Sequence, residues 1–313
     1  GQKIIVIDPK WTPIVRYASV WLQPKLGTDV ALLNGIMNVI ISNGWHNPQF
    51  IKERVEGGME AFNELVNLTK KYTPEYVEGI TGVPGDKITL AAKLYARSAT
   101  AMIATGMGMS QQVTGTNNVF CLLNLMLITG QVGRERCGID PPRGQNNVQG
   151  ATDVGCHPFM YPGYIPVAND ENRKKVALEW GVPFDALSSK PGLTTVEIIK
   201  AAHEGKVKAL YIMGENPMLT DPNLNHTEEA LMNLDFLVVQ DIFHTETTKF
   251  AHVIIPASTW AEKNGTFVNS DRRVLRVRKA VGCYGDARED WKIIHELSNR
   301  MGFPMPIYNN ESE

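Results

Sequence analysis

Short apolar runs alternate along the chain with longer stretches in which apolar residues recur at helical spacing. The runs are rich in β-branched residues, and such runs predict strands buried in a sheet. They lie at residues 3–7, 101–104, 207–213, 236–240 and 253–255. The helical stretches include residues 30–42 and 117–129. Others begin after prolines or capping residues, as at Thr73-Pro74 and at Thr194, where Glu197 completes a capping-box-like start. Strands that alternate with helices predict an α/β fold with mostly parallel sheets and right-handed crossovers.

Several predicted strands end in residues that suit a ligand. Asp8 follows the first strand and Asp241 a later one, whereas glycine turns follow the strands that end at Ala104 and Met213. Ligands of open α/β sheets lie beyond the carboxyl ends of the strands, where an acid can accept from a ribose hydroxyl or from guanine. Asp8 could equally do no more than begin the next turn. An acid and a glycine turn in each half predict two similar nucleotide-sized crevices, although the turn at 105–110 lacks the full Gly-x-Gly-x-x-Gly spacing.

The stretch from Gln131 to Pro166 has neither a helical nor a strand period. Loops of this length are usually functional or disordered, and the aromatic residues and few charges of this one argue against disorder. Arg143 is the only charged side chain between Asp140 and Asp153, and amides and glycines flank it. A guanidinium is always charged and can bind an oxyanion at two points. The residues alone leave two interpretations open, an anion-binding loop or a structural loop in which Arg143 caps backbone carbonyls.

Composition narrows the classes of function. The 313 residues are enough for two domains, with 43% hydrophobic residues and a net charge of -2. That charge gives no bulk attraction to nucleic acid, and the basic cluster at 272–279 lacks the aromatic residues of a nucleic-acid patch. No apolar run is long enough to cross a membrane. The chain opens almost directly in its first predicted strand, which is typical of a fragment.

Cysteine and histidine positions predict no metal-ligating residue in this chain. The cysteines, at 121, 137, 156 and 283, include no Cys-x-x-Cys pair, so neither a zinc nor an iron–sulfur signature is present. Scattered thiols suit a reducing cytoplasm, where we expect the protein to be found. The seven histidines are dispersed along the sequence.

The sequence Arg-Gly-Gln-Asn-Asn-Val-Gln-Gly-Ala at 143–151, followed by Asp153-Val154-Gly155, resembles the active-site loop of molybdenum- or tungsten-dependent formate dehydrogenases. These enzymes belong to the molybdopterin oxidoreductase family, and the resemblance extends over nearly the whole chain. Related nitrate reductases tend to have a Gly-Gln-x-Asn loop without this arginine and fit less well. The resemblance implies the two central domains of the catalytic subunit, which are Rossmann-like αβα structures with mostly parallel sheets.

The resemblance also implies a domain organisation and a cofactor. Residues 1–144 would form the first α/β domain, and residues 145–257 with 287–308 the second. Residues 258–286 would form a β-hairpin segment that contacts an N-terminal domain absent from this sequence. The cofactor is bis(molybdopterin guanine dinucleotide), or bis-MGD, which carries molybdenum or tungsten. The residues expected to bind it are Asp8, Thr28, Asp29, Gly106, Met107, Gly108, Gln111, Gly144, Met213, Gly214, Glu215, Asn216, Gln240, Asp241 and Thr245. Helix capping alone would explain Thr28 and Asp29.

The implied reaction is the reversible oxidation of formate to carbon dioxide, with electrons passed to iron–sulfur subunits or domains. Arg143 would orient formate and pair with its charge, and Gln145 would assist beside it. Family members carry a four-iron cluster and a cysteine or selenocysteine metal ligand ahead of this region, and a further domain after it. Because this sequence has none of these, the chain alone is predicted to be inactive. Two alternatives remain, a non-catalytic pterin- or nucleotide-binding module and a structural paralogue of the kind found in respiratory complex I.

Overall fold

The computed structural model describes residues 2–142 and 144–306 of the chain. The chain divides into two compact units, residues 1–144 and residues 145–313, which we call the first and the second unit. Their boundary falls inside the long stretch that contains Arg143. No helix formed by the described residues is both long enough and apolar enough to span a membrane.

The first unit is mainly helical, with two pairs of short parallel strands. Its helices are α1 (Asp29–Ser42), α2 (Pro48–Arg54), α3 (Gly58–Thr69), α4 (Pro74–Thr81), α5 (Gly85–Ala96), α6 (Met107–Ser110) and α7 (Gly115–Thr129). Its strands are β1 (Ile5–Ile7), β2 (Val20–Leu22), β3 (Met102–Ala104) and β4 (Gly138–Asp140). β1 pairs with β2 and β3 pairs with β4, both in parallel. The parallel α/β character predicted from the sequence is thus confirmed.

Helix α1 is the centre of the first unit because apolar residues cover most of its circumference. Leu32, Met37 and Ile40 on this helix are fully buried. Each such side chain contributes about 1.5–3 kcal/mol through the apolar surface that it removes from water. Gly35 lets α1 approach α4, since a Cβ atom at this position would lie 2.9 Å from Cγ2 of Val77. The result is one continuous core that also includes residues of α5 and α7.

The second unit is built on a three-stranded parallel sheet. Its helices are α8 (Val148–Asp153), α9 (Asp170–Trp180), α10 (Thr195–His203), α11 (Pro217–Thr220), α12 (Leu224–Met232) and α13 (Asp290–Arg300). Its strands are β5 (Met160–Tyr161), β6 (Ile165–Pro166), β7 (Ala209–Met213), β8 (Phe236–Asp241), β9 (Val253–Pro256), β10 (Gly265–Val268) and β11 (Val274–Val277). The sheet order is β7-β8-β9, with Met213 opposite Gln240 and Asp241 opposite Pro256.

The segment between β9 and α13 leaves the sheet and returns to it. β10 and β11 form the antiparallel hairpin that the alternation of residues predicted. After the hairpin, Arg288 pairs in parallel with Ala257, directly beyond β9. The chain therefore rejoins the sheet next to the point where it left.

The prediction that residues 131–166 form one long loop was wrong. This stretch contains β4, helix α8 and the antiparallel pair β5–β6. Elements of two to six residues are too short to show a helical or strand period in the sequence. Two hydrogen bonds also fix the start of this stretch. The buried side chain of Gln131 accepts from Ala101 N at 3.0 Å and donates to Ser98 O at 3.0 Å.

Candidate functional site

Hydrogen bonds hold the carboxyl ends of β7 and β8 together in the second unit. Gly214 has a left-handed backbone (φ 66°), and its N–H donates to the carbonyl of Gln240 at 2.9 Å. Asn216 Oδ1 accepts from the Thr247 hydroxyl at 2.7 Å, and its amide donates to Glu246 Oε2 at 2.8 Å. These bonds connect the turn after β7 to the loop after β8. Glycine is required at 214 because a side chain strains this backbone conformation.

The acids that follow β1 and β8 make the same local turn. Asp8 Oδ1 accepts from Lys10 N at 2.7 Å, and Asp241 Oδ1 accepts from Phe243 N at 3.0 Å. Each carboxylate therefore begins the next turn, as one interpretation of Asp8 held. Among the described residues, Oδ2 of neither acid has a hydrogen-bond partner. Each acid can hold its turn with one oxygen and offer the other to a ligand.

Gln240 occupies a different position from its neighbours, since its side chain is fully buried. Its Oε1 accepts from the Tyr211 hydroxyl at 2.5 Å, and its amide donates to Asp290 Oδ1 at 2.6 Å. Asp290 also pairs with Lys263. Burial, together with the negative charge of Asp290, raises the pKa of Tyr211 above its ordinary value. The Gln240 side chain is engaged inside the unit and positions the strand end rather than offering a free group there.

Glu215 is the one acid in the turn after β7. Partial burial of its carboxyl group, and then the negative charge of Asp221, raise the pKa of Glu215 above its ordinary value. The side chain of Met213, just before it, is about half exposed at the strand end. The turn thus presents an acid that is easier to protonate than usual beside an apolar surface.

The first unit has a cavity of about 230 Å³ at the ends of β1 and β3. Its walls include Asp29, Thr105, Gly106 and apolar residues of α1 and α7. A site for a whole small-molecule ligand is usually about 300–1,000 Å³, so the cavity suits only part of a larger ligand. A shallower groove of about 580 Å³ runs along α13, and none of the predicted binding residues that the structure describes lines it.

Other residues predicted in the first unit lie at or near this cavity. Asp29 Oδ2 accepts from the Gln112 amide at 3.2 Å. The Thr28 hydroxyl donates to Lys25 O at 2.6 Å and makes no capping bond, so capping does not explain this residue. A Cβ atom at Gly106 or Gly108 would meet nothing within 4 Å, which leaves the turn open to a ligand.

The short helix α6 follows this turn. Met107 begins it and is half exposed, and Gln111 follows its last residue, with its N–H donating to Met107 O at 2.8 Å. Gln111 itself is exposed. Both side chains therefore lie on the surface next to the open turn.

Each unit contains a buried threonine hydroxyl that no described residue satisfies. Thr105 Oγ1 follows β3, and Thr245 Oγ1 lies in the loop after β8. An unsatisfied buried hydroxyl costs about 1–3 kcal/mol, so such atoms are rare in native proteins and often mark a ligand site. Two unpaired hydroxyls that follow strand ends leave room for hydrogen bonds to a polar ligand. Thr245 was predicted, whereas Thr105 was missed, although its place directly after β3 was a usable signal.

The loop that carries the resemblance is well anchored on its carboxyl-terminal side. Arg143 lies outside the described residues. A Cβ atom at Gly144 would be 3.1 Å from Met107 Cε, so this glycine lies against the start of α6. Gln145 is exposed.

Asn147 is the main anchor of this loop. Its backbone is left-handed (φ 64°), and its Oδ1 accepts from Val268 N at 3.0 Å. Gly150 makes this bond possible, since a Cβ atom there would be 2.0 Å from the same oxygen. Gln149 donates to Asp153 Oδ1 at 2.9 Å and to the Tyr164 hydroxyl at 2.6 Å. These two amides serve the structure of the loop, which leaves Gln145 and Asn146 as exposed amides, of which Gln145 is closer to Arg143 in the sequence.

An α/β chain with acids, open glycine turns and unpaired hydroxyls at its strand ends has the layout of a protein that binds a nucleotide-containing ligand. Comparison with known families agrees and is more specific. Residues 1–300 match the family described as molybdopterin oxidoreductase. The chain belongs to the molybdopterin oxidoreductase family.

Curated relatives align over nearly the whole chain. It is 46% identical over 313 residues to the F420-dependent formate dehydrogenase subunit alpha of Methanocaldococcus jannaschii, covering 100% of this chain and 45% of the relative. It is 44% identical over 302 residues to the F420-dependent formate dehydrogenase 1 subunit alpha of Methanococcus maripaludis, covering 96% and 43%. It is 42% identical over 313 residues to formate dehydrogenase H of Escherichia coli, covering 100% and 43%. The chain thus spans less than half the length of each.

A solved structure supports the fold. The acetylene hydratase of Pelobacter acetylenicus superimposes with a TM-score of 0.73 at 22% sequence identity, covering 96% of this chain and 43% of that one. At this identity the likeness concerns the fold alone.

Proposed function

We propose that these residues form the central part of a formate dehydrogenase catalytic subunit, which oxidises formate reversibly to carbon dioxide at a molybdenum or tungsten bis-MGD centre. The identity of 42–46% to three formate dehydrogenase chains carries the proposal. The Arg143-Gly144-Gln145 sequence is the local feature that supports it. The same sequence favours this proposal over a nitrate reductase, a non-catalytic binding module or a structural paralogue.

In this proposal Arg143 and Gln145 bind the substrate. The guanidinium of Arg143 pairs with the negative charge of formate through two hydrogen bonds and fixes its orientation. The exposed amide of Gln145 provides a further hydrogen bond, and Gly144 keeps the loop close to the start of α6. The bound metal centre supplies the acceptor for the two electrons that formate loses. The chain's own residues hold the substrate in place and stabilise its charge.

We further propose that each unit holds one guanine dinucleotide arm of the cofactor. In the first unit Asp8, Thr28, Asp29 and the turn Gly106–Gly108 would bind it, with Met107 and Gln111 beside them. In the second unit the binding residues would be Met213, Gly214, Glu215, Asn216, Asp241 and Thr245, and the buried Gln240 would hold the end of β8 in position. The free carboxylate oxygens of Asp8 and Asp241 and the unpaired hydroxyls of Thr105 and Thr245 support this assignment, because guanine and ribose offer donors to them.

The remaining parts of the proposal concern the rest of the subunit. The metal ligand and a four-iron cluster would come from parts of the protein outside these residues, so that this chain alone would be inactive. Residues 258–286, set apart between the paired Ala257 and Arg288, would contact the domain that carries the cluster. Residues 145–257 and 287–308 would form the second cofactor-binding domain, of which 307 and 308 lie outside the described part. Electrons would pass to iron–sulfur subunits or domains, in the cytoplasm.

The proposal is tested by replacing Arg143 in the full-length enzyme with alanine and with lysine. We expect kcat/KM for formate to fall about 100-fold or more in Arg143→Ala, the size of effect seen when one group that stabilises developing charge is removed. Arg143→Lys should recover little, since an ammonium group cannot bind formate as a planar fork does. Formate-dependent dye reduction measures turnover, and pterin content is assayed in the same samples.

Arg136→Ala is the matched control, because Arg136 is an exposed arginine seven residues earlier. Its turnover and pterin content should both equal those of the wild type. Unchanged turnover in Arg143→Ala would remove Arg143 from the substrate site. A loss of pterin from Arg143→Ala would instead assign the residue to cofactor binding.

A further inference from the structure

Two helices of the second unit bring three metal-ligating side chains together. His203 is the last residue of α10, and His226 and Glu229 lie one turn apart on α12. Residues three apart on a helix share a face. One ligand atom from each of the three side chains lies within 4.8 Å of the other two. His203 Nε2 is 3.1 Å from Glu229 Oε2, and the two imidazole centroids are 4.4 Å apart.

We propose that His203, His226 and Glu229 bind a divalent transition-metal ion, for which Zn²⁺ is the probe, and that the ion joins α10 to α12. Two imidazoles and a carboxylate are a ligand set that zinc accepts, with bonds of about 2.0–2.2 Å. A fourth position would remain for water. This site is independent of the formate chemistry, since none of the three residues belongs to the strand-end loops.

The side chains must close in slightly to bind an ion. Bonds of that length around a tetrahedral ion put the donor atoms roughly 3.4 Å apart, so donor atoms that are 4.8 Å apart must approach each other by about 1.4 Å. The exposed side chains can move by this amount, because those of His203 and Glu229 are 41% and 66% exposed. The ion would therefore select a rotamer of each side chain without moving the backbone.

The backbone that carries the ligands is fixed. Asn233, which follows α12, donates from its amide to the carbonyls of Ala202 and His203, both at 3.1 Å. Ala202 and Ala230 are fully buried between these helices and their neighbours, so the helices pack closely. The end of α10 favours a cation and the start of α12 disfavours one, so the helix dipoles largely cancel. Affinity then depends on the three ligands themselves.

A surface ion pair is the competing explanation for the cluster. It would account for His203 and Glu229 but gives no role to His226, whose ring lies against that of His203. The nearby lysines do not compete for Glu229 in the structure. Lys206 Nζ lies 2.6 Å and Lys200 Nζ 4.0 Å from Glu204, which draws both lysines to itself.

The test uses the full-length enzyme with its resident cofactor, in which Zn²⁺ is titrated in competition with a chromophoric chelator. Wild type should bind one more Zn²⁺ than the double variant His203→Asn/His226→Asn. Glu229→Gln should bind this ion at least about tenfold more weakly, since even partners outside the metal's own ligands cost 10–100-fold when lost. Glu228→Gln, a change at the adjacent exposed acid, should bind as wild type does.

Two further measurements separate a metal site from a folding effect or from adventitious binding. X-ray absorption at the zinc edge should show imidazole and oxygen ligands without sulfur. Zn²⁺ should raise the unfolding temperature of wild type and Glu228→Gln but not of the double variant, and formate turnover should be the same in all. Equal Zn²⁺ affinity in wild type and the double variant, or sulfur ligands at the edge, would refute the site.

Discussion

The two units share the α/β plan but are held together by different forces. The first has one large apolar core around α1, in which twenty residues form a single buried cluster. The second has two smaller clusters, of eight and three buried residues. Every ion pair found among residues 2–142 and 144–306 lies in the second unit. The second unit therefore depends on satisfied polar groups where the first depends on packing.

Buried polar side chains show how the second unit makes up for its small cores. Arg173 is almost fully buried, and its guanidinium bonds to Asp170 at 2.6 Å and to Leu187 O at 2.7 Å over the ring of Phe184. Burying a polar group is costly unless it is paired, and removing one partner costs more than the bond contributes. The units should therefore respond to different substitutions.

The largest effect is expected from a cavity in the first unit. Leu22→Ala removes a fully buried side chain of the main core and should reduce the stability of this unit by about 2–5 kcal/mol. Leu90→Ala is the matched control, since Leu90 on α5 is 42% exposed and its loss should cost within about 0.5 kcal/mol. Hydrogen exchange, measured peptide by peptide, reports the stability of each unit separately. Loss of protection in β7–β9 as large as in α1 would show that the units do not respond independently.

A smaller effect is expected from the polar network of the second unit. Asp290→Asn removes the charge that pairs with Lys263 while keeping a group of the same shape beside Gln240. The pair is about one-quarter exposed, so we expect a loss of about 1–3 kcal/mol, below that for a fully buried pair.

Hydrogen exchange of β7, β8 and α13 measures the effect of Asp290→Asn, and Asp286→Asn in the exposed loop before α13 serves as the control. Equal protection in the two variants would mean that the network does not stabilise the sheet. Faster exchange confined to α13 would show that Asp290 stabilises only the start of that helix.

The contrast between apolar packing and polar contacts also explains which parts of the structure could be predicted from the sequence. Long periodic segments such as α1 and α7 were predicted, because a periodic apolar stretch predicts a helix directly. The start of α10 was predicted in detail, since Thr194 and Glu197 form the expected capping box. β2 and β4 were missed, because their apolar residues form shorter runs than those that predicted β1 and β3.

Contacts between distant residues could not be predicted at all. The bond from Val268 N to Asn147, and the meeting of His203 with His226 and Glu229, join residues that are 23 to 121 positions apart. No local pattern in the sequence carries such information. The Thr28 cap was expected from a local rule, and the hydroxyl instead bonds to Lys25 O. In the candidate site, local rules thus identified the strand ends but not what each side chain does there.

The smallest effect is expected from acid pH, and it should fall on the second unit. Glu262 is nearly buried between Thr259 and Tyr284. The backbone N–H of Thr259, and then that of Tyr284, hold its pKa below the ordinary value of 4.5 against the opposing effect of burial. Because the folded pKa is the lower one, the carboxylate's contribution to stability is complete above about pH 4.5 and is lost as the pH falls through the folded value. Exchange protection around residues 259–284, corrected for the intrinsic rate, should therefore decrease from pH 7 to pH 4 in the wild type. Glu262→Gln should show lower protection at pH 7 and a flatter decrease, and an equally steep decrease in that variant would assign the pH dependence to other acids.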